Sequence, residues 1–174
     1  LSPYRRSTPT GVNQMNPILQ KKFIAPETAS ISYGRKKFFL GDKVMCMTNG
    51  DDVANGDTGY ITEIKGGRFT VDFGDGRTVE YAKSALRNFD LAYAISIHKS
   101  QGAEFKTCII VLMDEHASML KRNLIYTAVS RAKQKVFLIS TVNALETAIQ
   151  TEDVTRRLSL LGTILQENMP TKIS

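Results

Sequence analysis

The residues of this chain best suited to chemistry are gathered in Tyr93-Ala94-Ile95-Ser96-Ile97-His98-Lys99-Ser100-Gln101-Gly102-Ala103-Glu104-Phe105. A packed element repeats apolar residues at a regular period, whereas here an apolar lead-in runs straight into side chains that bind rather than fill. The bland alternative is a polar loop after a buried element. Two sets of arginines elsewhere are candidates for chemistry: the adjacent pair Arg5 and Arg6 near Gly11, and Arg131 within Tyr126-Thr127-Ala128-Val129-Ser130-Arg131-Ala132-Lys133. Guanidinium is planar and permanently charged, which suits it to phosphate oxygens. The default for such arginines is a solvated basic patch, a snorkelling side chain or a salt bridge.

The Tyr93 to Phe105 stretch resembles motif V of the superfamily 1 helicases of the RecD-like branch, and the Tyr126 to Lys133 stretch resembles their motif VI. Ser2-Pro3-Tyr4-Arg5-Arg6, with Pro9 and then Gly11-Val12-Asn13, resembles the segment around motif IV. The resemblance, of the UvrD/RecD C-terminal type, implies an α/β fold: a RecA-like parallel-sheet domain, discontinuous in sequence, carrying an inserted SH3-like β-barrel. Residues 1–35 and 90–174 would form the RecA-like domain and residues 36–89 the insertion. It implies an ATP-dependent DNA helicase moving 5′ to 3′. ATP and Mg2+ would be held mainly by another RecA-like domain of the same protein, which carries the phosphate loop.

By the same resemblance, Arg131 and Arg6 would touch the γ-phosphate, with Arg5 as the alternative within the motif IV pair. Glu104 and Gly102 would contact the nucleotide sugar, and Asn123, Tyr126 and Thr127 would brace that region. Ser96, His98, Lys99 and Gln101 would grip single-stranded DNA or a single-strand/duplex junction. Lys36 and Lys37, in the basic lead-in Arg35-Lys36-Lys37, would meet the phosphate backbone. His98 has no sequence partner for acid-base work and the chain holds two His, so a hydrogen-bonding role is preferred to metal binding. Nuclease subunits are admitted as partners. Competing readings are a non-catalytic nucleic-acid-binding module, and the helicase part of a conjugative relaxase or a Pif1-like enzyme.

Composition is consistent with these partners. Lys plus Arg outnumber Asp plus Glu by 23 to 17, a balance of +6 that suits a polyanion. No apolar run approaches the roughly 20 residues of a membrane span, and no signal-peptide pattern opens the chain. A soluble, cytoplasmic protein is expected. Cys46 and Cys108 lie far apart without metal-ligand spacing and read as small buried hydrophobes. A start at Leu1, inside a motif and without Met, suggests a piece of a longer protein.

The elements that must position these residues follow from pattern. Val12, Met15, Ile18, Leu19 and Phe23 predict a helix whose length Pro17 limits. Lys43 to Met47, Thr58 to Ile64, Arg68 to Phe73 and Arg77 to Tyr81 read as strands, separated by Asn55-Gly56, Gly66-Gly67 and Asp75-Gly76 turns. Short strands so closely spaced suggest a small closed barrel of SH3 type, with Phe38, Phe39, Phe69, Phe73 and Tyr81 mostly in its core. Thr107 to Met113 reads as a strand buried on both faces.

Asp114-Glu115-His116 follows that strand as a Walker B motif would. The chain has no G-x-x-x-x-G-K-[ST], so these residues are read instead as a lead into the next helix. That helix is predicted from about Ala117 to Lys133, with Arg131 falling near its Leu120 and Leu124 stripe. Lys135 to Ser140 reads as a buried strand, Asn143 and Glu146 as a capping box, and Val154, Leu158, Leu161 and Leu165 as a last amphipathic helix bearing Arg156 and Arg157. The end, from Asn168, is expected to fray.

Overall fold

The computed structural model describes residues 1–6, 8–50 and 52–152. The predicted helix after Thr151, with Arg156 and Arg157, lies outside them. Helix α1 spans Val12–Phe23 and tolerates Pro17, while Lys21 and Lys22 in its last turn complement the helix dipole. A hairpin follows, with β1 (Ser30–Tyr33) antiparallel to β2 (Lys36–Phe39). The sequence pattern predicted neither of its strands. The hairpin straddles the 35/36 position taken as a domain boundary, and both Ile31 and Phe38 enter the core of the strands that come next.

Those strands are β3 (Lys43–Cys46), β4 (Thr58–Lys65), β5 (Arg68–Asp72), β6 (Thr78–Ala82) and β7 (Phe89–Leu91), all within two residues of their predicted bounds where a strand was predicted. They form an antiparallel sheet of order β6-β5-β4-β3-β7. Positive φ at both Gly66 and Gly67 makes the β4-β5 turn possible. The expected closed barrel is not formed by hydrogen bonds, since no ladder joins edge strands β6 and β7 among the described residues. A six-residue 3-10 turn, Lys83–Asn88, spans the gap instead, and its fully buried Leu86 packs into the same core.

The core of this sheet holds Val44, Ile61, Phe69, Val71, Leu86 and Phe89. Phe69 meets Phe89 edge-on at 5.4 Å and stacks on Tyr81 at 5.3 Å, so the aromatics here fill rather than await a ligand.

The second core gathers around two parallel strands, β8 (Phe105–Leu112) and β9 (Ala132–Ser140). Cys108, Ile110 and Leu112 face α2 (Arg122–Val129) and α3 (Val142–Gln150), where Ala128, Ala144 and Ala148 are fully buried. Small side chains at these positions let the helices approach the sheet closely. The opposite face carries Ile109, Phe137 and Ile139, which remain half exposed, so the prediction of strands buried on both sides fails for β9 and for Ile109.

Two helix predictions also need correction. The segment expected to run continuously from Ala117 is a 3-10 turn, Asp114–Met119, then an extended step at Leu120 and Lys121, then α2. That step lets both Leu120 and Leu124 reach the second core. Helix α2 ends at Val129, so Arg131 lies beyond it, not on its stripe. Helix α3 is capped by Thr141, whose hydroxyl accepts from the Ala144 N–H, not by Asn143; the Asn143 amide and the Thr141 hydroxyl both donate to Asp114.

Residues 1 and 2 bind the discontinuous halves. Ser2 N–H donates to Ile95 O at 3.1 Å, Ile97 N–H to Ser2 O at 3.0 Å, and Val111 N–H to Leu1 O at 2.9 Å. The start of the chain thus lies as a strand between the Ile95 to Ile97 stretch and β8.

Gly59, on β4, lies so close to β5 that a Cβ there would meet Asp72 O at 2.5 Å and Val71 Cγ1 at 2.7 Å. Gly59→Ala is expected to destabilise the fold by about 1–3 kcal/mol through overpacking, as read by denaturant unfolding. An unchanged unfolding midpoint would contradict this packing.

Candidate functional site

The apolar lead-in holds the motif V stretch by burial: Ala92, Ala94, Ile95 and Ile97 are all buried. Buried Asn16 on α1 adds a polar clamp. Its amide donates to Leu91 O and Ala94 O, and its carbonyl accepts from the Ala94 N–H at 2.8 Å. Asp42, also fully buried, accepts from the Tyr93 hydroxyl, the Gln20 amide and the Phe39 N–H, each within 2.7 Å. Burial and this bond to Asp42 push the Tyr93 phenol well above its ordinary range. One helix, one hairpin and the lead-in are thereby fastened together.

After Ile97 the chain turns. His98–Ser100 is a 3-10 turn, the Ser96 hydroxyl accepts from the Lys99 N–H, and Ser100, fully buried, donates back to Ile97 O at 2.7 Å. Gly102 ends it with φ 85°, a left-handed conformation that a side chain rarely adopts. The result presents His98 and Gln101 to solvent and leaves Ser100 as a structural residue.

His98, Lys99, Gln101 and Gly102 line an open polar groove of about 470 Å³ whose other wall is Asn55, Gly56 and Asp57 of the small sheet. Lys99 Nζ donates to Asn55 Oδ1 at 3.1 Å. Asp57 is itself held by Arg77, which also reaches Asp75 and the Asp52 carbonyl. The sequence signal at Asn55-Gly56 was read as a turn only, so these wall residues were missed.

Arg131 lies at the other end of the stretch. Its Nε donates to Thr127 O at 3.1 Å, Nη1 to Ala103 O at 3.2 Å and Nη2 to Ser130 Oγ at 3.0 Å. The guanidinium is half-buried beside polar groups, not sunk in an apolar interior. Among the described residues three of its five N–H donors are used, which leaves two for an anion. Glu104 neighbours it and pairs with Lys133 at 2.7 Å. The structure therefore brings Arg131, Gly102 and Glu104 together. Of the three residues expected to brace Arg131, Thr127 does so through its carbonyl, whereas Tyr126 is exposed.

The motif IV arginines diverge. Arg6 is exposed, and no hydrogen bond among the described residues joins it to Arg131, Gly102 or Glu104. Arg5 pairs with Asp90 at 2.7 Å and lines a small pocket with Ser96 and Lys99. Arg5 thus sits with the expected DNA-gripping residues, away from the nucleotide group it was assigned to. Lys36 is committed as well: its ammonium donates to Arg87 O, Phe89 O and Asp90 Oδ1, a structural tie that leaves it little capacity for phosphate. Lys37 is exposed, with its ammonium 4.7 Å from the Phe39 ring centroid.

Residues 91–139 match the model of the UvrD-like helicase C-terminal domain. The chain is 34% identical over 166 residues to the ATP-dependent RecD2 DNA helicase of Deinococcus radiodurans, covering 94% of this chain and 23% of that protein. It is 31% identical over 151 residues to the RecBCD enzyme subunit RecD of Mycolicibacterium smegmatis, covering 86% of this chain and 26% of that protein. The chain belongs with the C-terminal part of the RecD-like superfamily 1 helicases. It spans about a quarter of the length of these curated relatives. The crystal structure of Pif1 helicase from Bacteroides in complex with ADP-AlF3 and ssDNA shares the fold, with a TM-score of 0.63 at 18% identity over 96% of this chain and 46% of that one. A mixed α/β arrangement resembling the RecA-like domain of such helicases is thus established.

In this RecD-like segment the hydrogen bond from Lys133 holds the Glu104 carboxyl below its ordinary range, helped by the nearby Arg131 charge. A depressed carboxyl keeps its ion pair at neutral pH and loses it as pH falls through the carboxylate range. Lys133→Met should move the Glu104 titration upward in a carboxyl-resolved NMR experiment; an unmoved midpoint would refute the pairing.

Proposed function

We propose that this chain is the second RecA-like domain of a longer ATP-driven DNA helicase, lending cations to a nucleotide bound chiefly by another domain. The observation that carries the reading is the seat of Arg131, whose Nη1 donates to Ala103 O between Gly102 and Glu104. An arginine, a glycine turn and a carboxylate at one edge are what a nucleotide sugar and its phosphates need from a partner domain. ATP supplies the phosphoanhydride whose cleavage drives movement, with Mg2+ held elsewhere in the protein. Arg131 would stabilise charge developing on the γ-phosphate, since it is half-buried and retains two unused N–H donors. Arg6 would approach the same phosphate, Arg5 being committed to Asp90.

Single-stranded DNA would run along the groove between His98, Lys99, Gln101 and the Asn55 to Asp57 wall, with Ser96 behind it. Lys37 would add a phosphate contact. The hairpin and small sheet, from Ser30 to Leu91, read as an SH3-like insertion: the strand order and the 3-10 turn before the last strand support this. The RecA-like domain would then comprise the residues before about 30 and after about 91, an earlier start for the insertion than the sequence suggests. Nuclease subunits remain partners by analogy with the RecBCD relatives, and 5′ to 3′ movement and a cytoplasmic site belong to the same proposal. No helix among the described residues is long and apolar enough to cross a membrane.

In the full-length protein, Arg131→Ala should lower DNA-stimulated ATP turnover by roughly 10³-fold, the scale of an arginine finger, while single-stranded DNA affinity stays within about twofold. Intact turnover would instead mean that Arg131 is structural and that the segment only binds nucleic acid. The isolated segment should hydrolyse no ATP, and its affinity for single-stranded DNA should fall steeply with salt as counterions are released. Measurable turnover by the pure segment would overturn the division of labour proposed here.

A further inference from the structure

The loop that carries Arg5 and Arg6 is tied down at a place the proposed function does not use. His116, in the 3-10 turn after β8, is fully buried. Its Nδ1 accepts from the Met113 N–H at 3.1 Å, so that nitrogen bears the lone pair and Nε2 bears the proton. Nε2 lies 2.9 Å from Thr10 Oγ1 and donates to it. The Thr10 hydroxyl in turn donates to Glu115 Oε1 at 2.6 Å, and that oxygen also accepts the Thr10 N–H at 3.2 Å. Ser2 Oγ completes the set by donating to Thr10 O at 2.8 Å. Every polar atom of Thr10 is thus engaged.

The other end of the loop is fastened to the same turn. The Tyr4 ring packs on the His116 ring with centroids 5.6 Å apart, and its hydroxyl hydrogen-bonds Ser118. Val12 and Asn13 N–H groups donate to Tyr4 O and Arg5 O, each at 3.0 Å. Arg6 is therefore an exposed side chain on a loop held at both ends by one buried imidazole and its neighbours.

We infer that His116 is a positioning residue: through Thr10 and Tyr4 it holds the backbone on both sides of Arg6, so that Arg6 is aimed outward toward the phosphate of a nucleotide. The inference rests on the proposed role of Arg6. A buried polar chain of this kind is worth most when every member is satisfied, because each unpaired group left behind costs its full desolvation. Burial lowers the His116 basicity, against the opposing pull of Glu115 3.7 Å away, so the neutral form that accepts from Met113 persists at neutral pH. Besides Glu115, the groups set against it among the described residues are the Thr10 hydroxyl and the Tyr4 ring, and hydrogen bonds from Thr10 hold the Glu115 carboxyl below its ordinary range.

The test uses the full-length protein and three variants. Thr10→Val keeps shape and removes the hydroxyl; His116→Asn keeps an acceptor for Met113 but cannot reach Thr10; His116→Gln keeps a donor at the Nε2 position. Thr10→Val and His116→Asn should lose amide-exchange protection at residues 10–13, whose N–H groups are bonded to Glu115, Thr8, Tyr4 and Arg5, without nucleotide. Both should lower ATP turnover roughly ten- to hundredfold and weaken a γ-phosphate-bearing ATP analogue relative to ADP, with single-stranded DNA affinity unchanged. His116→Gln should restore most of each, and Thr10→Val should add nothing to Arg6→Ala. If Arg6→Ala alone leaves turnover intact, the role of Arg6 falls and this inference with it. If Arg6→Ala lowers turnover but Thr10→Val alters neither loop protection nor the analogue-to-ADP ratio, the positioning role alone is overturned. Loss of melting temperature with that ratio unchanged would likewise reduce His116 to a structural residue.

Discussion

Backbone pairing of the first two residues is the constraint on which the rest of the structure depends. Leu1 and Ser2 have neighbours on both sides, the Ile95 to Ile97 stretch on one and β8 on the other. A strand buried between two others must satisfy its N–H and C=O groups on both edges, and here those partners lie about a hundred residues away in sequence. Once the pairing forms, the motif IV loop, the motif V turn and β8 have fixed mutual positions.

Polar burial does the fine positioning that this pairing leaves open. Asn16, Asp42 and His116 are all buried, each fully engaged by hydrogen bonds, and each joins parts of the chain far apart in sequence. Apolar packing alone tolerates slippage, because dispersion contacts have little directionality. A buried amide or carboxylate does not, since a small displacement leaves it unpaired at a cost of about 1–3 kcal/mol. The arrangement places these residues around the candidate site, whose exposed groups themselves have few restraints: His98, Gln101 and Arg6 hold their places only because the backbone beneath them is held.

Charge at the surface shows a similar division. Four basic residues near the loop and the hairpin, Arg5, Arg35, Lys36 and Lys37, line one cleft, yet Asp90 takes two of them in ion pairs. The excess of positive charge in the sequence is therefore a poor guide to which cations are available to a polyanion. Lys37 and Lys99 carry the nucleic-acid proposal better than Lys36 does, because exposure and unused donors, not charge alone, decide what a ligand can reach.

Much of the fold was legible in the residues alone. Period-two alternation in Phe69, Val71 and Phe73 and the Gly66-Gly67 turn determine the β4-β5 hairpin, because side-chain burial and positive φ act within a few residues. Three stretches in order, around Arg6, from Tyr93 to Phe105 and from Tyr126 to Lys133, carried the resemblance to the helicase family. What local pattern could not decide was every feature set by distant neighbours. The break at Lys121 depends on where Leu120 finds the second core, and the stop of α2 at Val129, which leaves Arg131 off the helix, on where β9 joins β8. The exposure of Phe137 and Ile139 depends on which sheet face α2 and α3 take. The commitment of Arg5 and Lys36 to Asp90, and of His116 to Thr10, arises only when segments some fifty to a hundred residues apart are brought within hydrogen-bond distance, and no spacing along the chain encodes that meeting.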